Sequence, residues 1–207
     1  MASKPHRLDT VDAVREIIGK PHAMVPAKVM DSLDEMAIEF IRRSPFLVLS
    51  TADKDGFPDV SPKGDEPGFV AVDGPNTLLI PDRKGNRLIF SLQNVLANPK
   101  IGVLFIVPGT EETLRVQGHA VLTSDPEVLR RLSARGQPAL LAIQLTVERC
   151  YFHCAKAFKR SKLWKTDSWP PRQRVSFGKQ LAARLGGGDE LAKQIDDFVE
   201  ADYKDNL

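Results

Sequence analysis

The sequence predicts a mainly β (α+β) fold, an antiparallel split β-barrel with flanking N- and C-terminal helices. Three observations favour this fold class. About six strand-like segments follow one another in the middle of the chain, most of them are joined by hairpin turns, and only two short helices interrupt them. A parallel sheet would require a helix-length crossover between every pair of successive strands, whereas most of these segments are joined by hairpin turns.

The chain of 207 residues is long enough for a single domain with a full hydrophobic core. We expect a helical N-terminal extension at about residues 1–44, a barrel core at about 46–165 and a helical C-terminal tail at about 172–207. Two helices are predicted in the extension. Residues 9–18 are amphipathic and end at Gly19, and residues 28–43 carry a broad apolar face and end before a proline.

Two hairpins are predicted next. Residues 46–51 and 57–61 pair around a turn in which Gly56 takes the left-handed conformation, and residues 69–72 pair with residues 77–80.

The second half of the barrel is predicted to begin with a helix at about residues 86–97. Strands at 101–107 and 113–123 follow. Residues 124–127 have the pattern of a capping box, which predicts a helix that starts at Ser124 and runs to about Arg135.

A last strand is predicted at residues 139–147. Helices at 174–185 and 189–202 form the tail, and the glycines at 186–188 are interpreted as the stop between them.

Composition excludes several function classes. Lysine and arginine exceed aspartate and glutamate by only two, so neither a nucleic acid nor an anionic membrane is expected as a partner. No apolar run approaches the roughly 20 residues that span a bilayer, and the first residues lack the apolar core of a signal peptide. Cys150 and Cys154 form no Cys-x-x-Cys motif, which indicates a reducing cytoplasm.

Residues 61–68 and 80–87 form the strongest candidate binding site. In the second motif a glycine, an amide and a guanidinium arrive together where a helix is predicted to begin, and unpaired N–H groups at a helix start favour anions. Arg87 can grip a phosphate bidentately, and Lys63 can add a point charge. The alternative is a solvated basic turn ahead of a surface helix.

Two other groups of residues are candidate binding sites. Cys150, His153 and Cys154, with His119, are the only conceivable soft metal ligands, but cysteine is commonly a small buried hydrophobe and no metal is predicted. Residues 156–165 mix cations with aromatic rings. That mixture is compatible with a nucleic-acid patch, but a more economical interpretation directs it to the same anionic, aromatic ligand as Arg87.

Four motifs in this order resemble the pyridoxamine 5′-phosphate oxidase superfamily of FMN-binding split barrels. They are Ser61-Pro62-Lys63-Gly64-Asp65, the segment 81–87, the segment 113–120 and the segment 152–164. The resemblance covers about residues 46–164 and is greatest to a bacterial subgroup described as oxidase-related FMN-binding proteins. It implies a homodimer with two FMN molecules at the subunit interface.

The resemblance also implies roles for individual residues. Lys63, Asn86 and Arg87 would hold the FMN phosphate. The residues implied along the isoalloxazine are Ser61, Pro62 and Asp65, and those implied at its pyrimidine side or the ribityl chain are Pro81 and Asp82.

A second group of residues would complete the cofactor site from the same or the neighbouring subunit. Thr113 and Arg115 would reach the flavin from the strand after the Pro-Gly turn. Arg160, Ser161 and Trp164 match the late segment that the partner chain supplies in the family. Trp164 either covers the flavin or plugs the end of the barrel.

The chain departs from the true oxidase at the substrate-phosphate site. Residues 125–138 contain no tyrosine, and Arg130, Arg131 and Ser133 are interpreted as a solvated helix face. This departure argues against oxidation of pyridoxamine phosphate. We expect a flavin-dependent oxidoreductase that acts on an unidentified small, planar substrate and needs no dedicated catalytic acid, because the cofactor carries the chemistry. The alternative is a non-catalytic carrier of flavin or haem. We expect the apolar strand residues Leu104, Ile106 and Val116 to need cover from a second subunit.

Overall fold

The computed structural model describes residues 7–206 and contains seven strands in one sheet. The strands are β1 Phe46–Ala52, β2 Pro58–Gly64, β3 Ala71–Val72, β4 Thr77–Asp82, β5 Lys100–Ile106, β6 Thr113–Thr123 and β7 Leu141–His153. Their order is β2-β1-β5-β6-β7-β4-β3, and each neighbouring pair is antiparallel. The predicted fold class is confirmed.

Helices flank the sheet at both ends of the chain and interrupt it twice. They are α1 Val11–Ile18, α2 Glu35–Arg43, α3 Phe90–Ala97, α4 Pro126–Arg131, α5 Lys156–Ser161, α6 Phe177–Leu185 and α7 Asp189–Asp205, with 3₁₀ turns at Val25–Lys28 and Thr166–Ser168. Within residues 7–206, no helix is long and apolar enough to cross a membrane.

The core lies on one face of the sheet, its inner side. Alternate residues of β1 and β5 point inward and are buried, while the residues between them are half-buried on the outer side. Val116 belongs to the inner set, since it is fully buried and opposite Val103 on β5. The expectation that Val116 needs cover from a second subunit was therefore wrong, whereas Leu104 and Ile106 do lie on the outer side.

Gly118 allows β6 and β7 to approach each other at an irregularity in their pairing. The register shifts between Gln117 and Gly118, and a Cβ atom at Gly118 would lie 1.9 Å from the carbonyl oxygen of Thr146. Only glycine fits there without movement of the backbone.

The second predicted helix begins later than expected. Only Glu35–Arg43 is α-helical, because the Asp34 carboxylate accepts a hydrogen bond from the N–H of Ala37 at 2.8 Å and starts the helix there. The residues before it form a 3₁₀ turn at Val25–Lys28 and then an irregular segment, in which Met30 exchanges two backbone hydrogen bonds with Cys150 of β7.

The helix predicted at 86–97 begins at Phe90, and residues 83–89 form a loop, here called the 83–89 loop. Arg87 has a φ of 60°, a left-handed conformation that a helix cannot contain. The Asn86 side chain accepts a hydrogen bond from the N–H of Leu88 and stabilises this turn. The residues predicted to bind an anion therefore lie in a loop and not at a helix start.

Three further boundaries differ from the prediction. Helix α4 is capped by Asp125 and not by Ser124, and it ends at Arg131. Residues 134–137 form a tight turn in which Arg135 has a φ of 51°, so the helix does not reach Arg135. Strand β7 continues to His153, past the predicted end at residue 147, because its second half still pairs with β6. Strand β2 extends to Gly64, which places Lys63 on a strand.

The C-terminal helices confirm the predicted glycine stop. Gly186 follows the last residue of α6, has a φ of 72° and donates its N–H to the carbonyl of Ala182. The left-handed conformation predicted for Gly56 is also observed, with a φ of 84°.

Candidate functional site

A cleft of about 770 Å³ lies between β2, the end of β4 and the 83–89 loop, and we name it the first cleft. The predicted site residues that line it are Ser61, Pro62, Lys63, Pro81, Asp82, Asn86 and Arg87. Much of the remaining wall is apolar, formed by Phe69, Leu88, Ile89, Phe90, Leu92, Leu140 and Leu141. The fold therefore brings the two strongest sequence motifs to one site.

Lys63 forms an ion pair inside this cleft. Its Nζ atom lies 2.6 Å from a carboxylate oxygen of Asp82, and both side chains are about one-fifth exposed. The pair links the end of β2 to the end of β4. Because the Asp82 carboxylate already compensates the charge of Lys63, this lysine attracts an anion less strongly than an unpaired lysine would.

Arg87, unlike Lys63, has no carboxylate beside it among residues 7–206. Its side chain is exposed, and it makes no hydrogen bond or ion pair with any other residue in 7–206. Its backbone has the unfavourable left-handed conformation. The loop thus presents a guanidinium with five free donors at the mouth of an apolar cleft, and such a group suits a phosphate.

Asp65 does not line the first cleft. Its side chain is 1% exposed and binds two arginines: Oδ2 lies 2.9 Å from Nε of Arg83, and Oδ1 lies 3.0 Å from Nη1 of Arg135. Arg83 also donates to the carbonyl of Leu132 at 2.7 Å. These contacts tie the end of β2 to the start of the 83–89 loop and to the segment after α4.

The surroundings of Asp65 determine its ionisation. Burial raises the pKa of this carboxyl, but the N–H of Glu66, the Arg83 hydrogen bond and the charges of Arg135 and Arg83 outweigh burial and hold the pKa below its usual value. The carboxylate stays charged at neutral pH and keeps both arginines in place.

The helix face of Arg130, Arg131 and Ser133 makes local contacts. Arg131 donates to the Asp73 carboxylate at 2.9 Å, and the Ser133 hydroxyl donates to the carbonyl of Arg130. The three residues do not line the first cleft.

The late segment also lies outside the first cleft of its own chain. Arg160 and Ser161 are exposed on α5. The indole Nε1 of Trp164 donates to the carbonyl of Thr110 at 2.9 Å, and its ring stacks on Phe158 with centroids 5.6 Å apart. These contacts fix the orientation of the half-buried indole.

Thr113 and Arg115 occupy the start of β6 and likewise do not line the first cleft. Thr113 is buried. The guanidinium of Arg115 lies 5.8 Å from the centre of the Tyr151 ring. His153 lies nearby, and burial together with the charges of Arg115 and Lys28 lowers its pKa, so this imidazole is neutral at pH 7.

Cys150 is a buried, protonated thiol. Burial and the charges of Asp34 and Asp31 raise its pKa to about 11, and its Sγ donates to the carbonyl of Ser32 at 3.0 Å. Cys154 is exposed. Among residues 7–206, no group of three or more His, Cys, Asp and Glu side chains is placed to hold a metal ion.

The sequence analysis did not predict Arg83 and Arg135 as partners of Asp65. The sequence did contain a signal for Arg83. Each motif has a cation close to a carboxylate, Lys63 and Asp65 in the first and Asp82 and Arg83 in the second, so the two motifs can form two ion pairs with each other. Arg135 gave no local signal, since it lies in a distant turn that only the folded chain brings to Asp65.

Comparison with known proteins gives a family match. The family model described as pyridoxamine 5′-phosphate oxidase matches residues 33–154, which is more than half of the chain. No curated protein matches.

Several solved structures match with low identity. HupZ of Group A Streptococcus is 16% identical, with 57% of this chain and 91% of HupZ covered and a TM-score of 0.47. General Stress Protein 26 of Bacillus anthracis is 16% identical, with 56% and 88% covered and a TM-score of 0.44. An FMN-binding protein of Syntrophomonas wolfei is 12% identical, with 57% and 89% covered and a TM-score of 0.42.

Proposed function

The chain belongs to the pyridoxamine 5′-phosphate oxidase family, and on that premise we propose that it is a flavoprotein that binds FMN in the first cleft and acts as a flavin-dependent oxidoreductase. The observation that carries the proposal is the exposed guanidinium of Arg87, which has no partner among residues 7–206 and lines a largely apolar cleft. When bound, FMN supplies the redox chemistry through its isoalloxazine ring.

The residues of the first cleft fit such a cofactor. Its volume of about 770 Å³ is within the ordinary range for cofactor sites. Arg87 and Asn86 would hold the phosphate, and Lys63 would add a charge that it shares with Asp82. The apolar side of the cleft suits a flat ring and keeps water away from it.

The ends of β2 and β4 would border the rest of the cofactor. Ser61 and Pro62 lie along one wall of the first cleft, and Pro81 and Asp82 lie along the other. A hydroxyl and a carboxylate in these positions suit the ribityl hydroxyls or the polar edge of the ring.

We also propose a homodimer, supported by an apolar patch on the outer side of the sheet. The patch consists of Phe46, Val48, Val60, Leu104 and Ile106, which lie on the neighbouring strands β2, β1 and β5. A second subunit on this patch would cover apolar surface. It would also bring a cofactor to Arg115, Arg160, Ser161 and Trp164, which do not line the first cleft of their own chain. Thr113 is buried within its own chain and would not contact a cofactor held by the partner.

The proposed substrate is an unidentified small molecule, and oxidation of pyridoxamine phosphate is not part of the proposal. The contacts of Arg131 and Ser133 are made within their own region, away from the first cleft. A non-catalytic flavin carrier is the alternative, and NAD(P)H-dependent turnover of the FMN-loaded protein separates the two.

An FMN titration tests the cofactor site. Arg87→Ala removes a charge-assisted contact worth roughly 1.5–3 kcal/mol, so FMN affinity should fall about ten- to a hundredfold. Lys63→Ala should have an effect at the lower end of that range, because Asp82 competes for the ammonium. Lys54→Ala is the matched control, since it removes an exposed cation on the β1–β2 turn. Unchanged affinity in Arg87→Ala would overturn the assignment.

A further inference from the structure

A second cleft, of about 880 Å³, lies on the other side of the 83–89 loop. Its opposite wall is formed by α6 and α7. Residues 84–88 line both clefts, so this stretch is a shared wall. A ligand group bound to Arg87 is therefore next to both spaces.

Large apolar side chains dominate the helical wall of the second cleft. Phe177, Leu181, Phe198 and Tyr203 all line it, and each is between 43% and 73% exposed. Three of the four are aromatic. Exposed aromatic rings around a cavity of this size are typical of a site for a planar ligand.

The cations of the second cleft lie on the loop and its carboxylate lies on a helix. Lys84 on the loop donates to the Asn206 side chain at 2.9 Å, and Asn206 in turn donates to the Asp202 carboxylate at 2.6 Å. Cations thus lie on the loop wall, with a carboxylate on the helix wall. A complementary ligand has an anionic group for the loop, a flat apolar part for the aromatic side chains and a hydrogen-bond donor for the carboxylate.

We propose that the second cleft binds the adenylate part of a dinucleotide. Its phosphate would lie on Arg87 at the shared wall, its adenine ring would stack among the aromatic side chains, and its amino group would donate to Asp202. The dinucleotide is either FAD, which would fill both clefts, or a nicotinamide dinucleotide that binds beside FMN. The link to the flavin depends on the function proposed above, whereas adenylate binding does not.

Calorimetric titration of the flavin-free protein with AMP tests the second cleft directly. The wild type should bind AMP, and Phe198→Ala should weaken AMP binding about tenfold, as expected for the loss of one stacking ring. FMN affinity of the same variant should stay within about twofold of wild type. Arg87→Ala should weaken AMP and FMN alike.

Leu185→Ala is the matched control on the same helices. Leu185 is 71% exposed, close to the 73% of Phe198, but it does not line the second cleft. This variant should bind AMP as the wild type does. Absence of AMP binding, or equal AMP affinity in wild type and Phe198→Ala, overturns the proposal. If FMN still binds in that case, the proposed function stands.

Two further titrations identify the dinucleotide. An FAD affinity about tenfold above that of FMN, lost in Phe198→Ala, assigns the site to the adenylate of FAD. Equal affinities for FAD and FMN, together with competition between AMP and NADH on the FMN-loaded protein, assign it to a nicotinamide dinucleotide. If neither result is obtained, the site does not serve a dinucleotide and the proposal fails.

Discussion

Asp65 places a carboxylate with 1% side-chain exposure between two arginines, and its contribution to stability depends on pH. Its pKa is lower in the folded chain than its ordinary value of about 3.9. The folded state therefore gains stability above that ordinary value and loses it as the pH falls through the folded pKa. Arg83, held by this carboxylate, begins the loop that carries Arg87.

Asp65→Asn should lower the free energy of unfolding at pH 7 by about 2 kcal/mol, because two hydrogen bonds to a charged group are weakened. The difference between variant and wild type should shrink as the pH falls below about 4, since protonation removes the same charge from the wild type. Urea unfolding at pH 7 and at successively lower pH measures both effects.

The control for this prediction is Asp55→Asn. Asp55 also forms an ion pair, with Lys54, but it is exposed, so the change should have little effect at any pH. A pH-independent loss of stability in Asp65→Asn would contradict the electrostatic explanation.

Trp164 has its indole fixed by contacts within its own chain, to Thr110 and Phe158. We expect Trp164→Ala to increase the fluorescence of bound FMN and to weaken FMN binding, because an indole beside a flavin quenches its excited state. Emission of the FMN-loaded variant and thermal unfolding of the cofactor-free variant are to be measured together.

Trp169→Ala provides the comparison for Trp164→Ala. Trp169 is 55% exposed and also donates its indole N–H to a backbone carbonyl, that of Leu163. The Trp169→Ala variant should leave the fluorescence of bound FMN unchanged. If Trp164→Ala severely destabilises the cofactor-free protein and flavin emission is unaltered, Trp164 is a plug and not a cover.

At the scale of elements, the two C-terminal helices depend on one close approach. A Cβ atom at Gly178 of α6 would lie 1.8 Å from the carbonyl oxygen of Ala192 in α7. Asp196 of α7 also binds both the hydroxyl of Ser176 and the N–H of Gly178, and so caps α6. The helix wall of the second cleft therefore rests on this crossing.

Gly178→Ala should separate α6 from α7 and cost about 1–3 kcal/mol of stability, the usual range for overpacking. Hydrogen exchange should become faster in residues 177–205 and stay unchanged in the strands. Gly188→Ala is the control, because its Cβ would meet no atom within 4 Å. Equal exchange in both variants would show that the crossing does not hold the helices together.

At the scale of the whole molecule, the proposed dimer rests on the apolar patch of β1, β2 and β5. Leu104→Glu places a charge in that patch and should convert a dimer into monomers, because burial of an unpaired carboxylate is unfavourable. Light scattering measures the mass. Val121→Glu, on the outer side of β6 and 59% exposed, is the control and should remain dimeric. A monomeric wild type with FMN bound would refute the dimer.

Local sequence patterns were sufficient for most of the fold. Short apolar runs bounded by turn residues identified β1 and β5, and glycines such as Gly56 and Gly186 marked the ends of elements. Those signals are local, since they depend on backbone conformation and on which face of a strand is apolar. The same local reasoning brought the motifs around Lys63 and Arg87 together as one candidate site.

Only the tertiary structure decided how the charges of that site are shared. It paired Lys63 with Asp82, turned Asp65 away from the first cleft toward Arg83 and Arg135, and left Arg87 unpaired among residues 7–206. It also placed α6 and α7 beside the 83–89 loop. Ion pairs form between whichever groups the fold brings within a few ångströms, and residues far apart in sequence carry no local mark of that proximity.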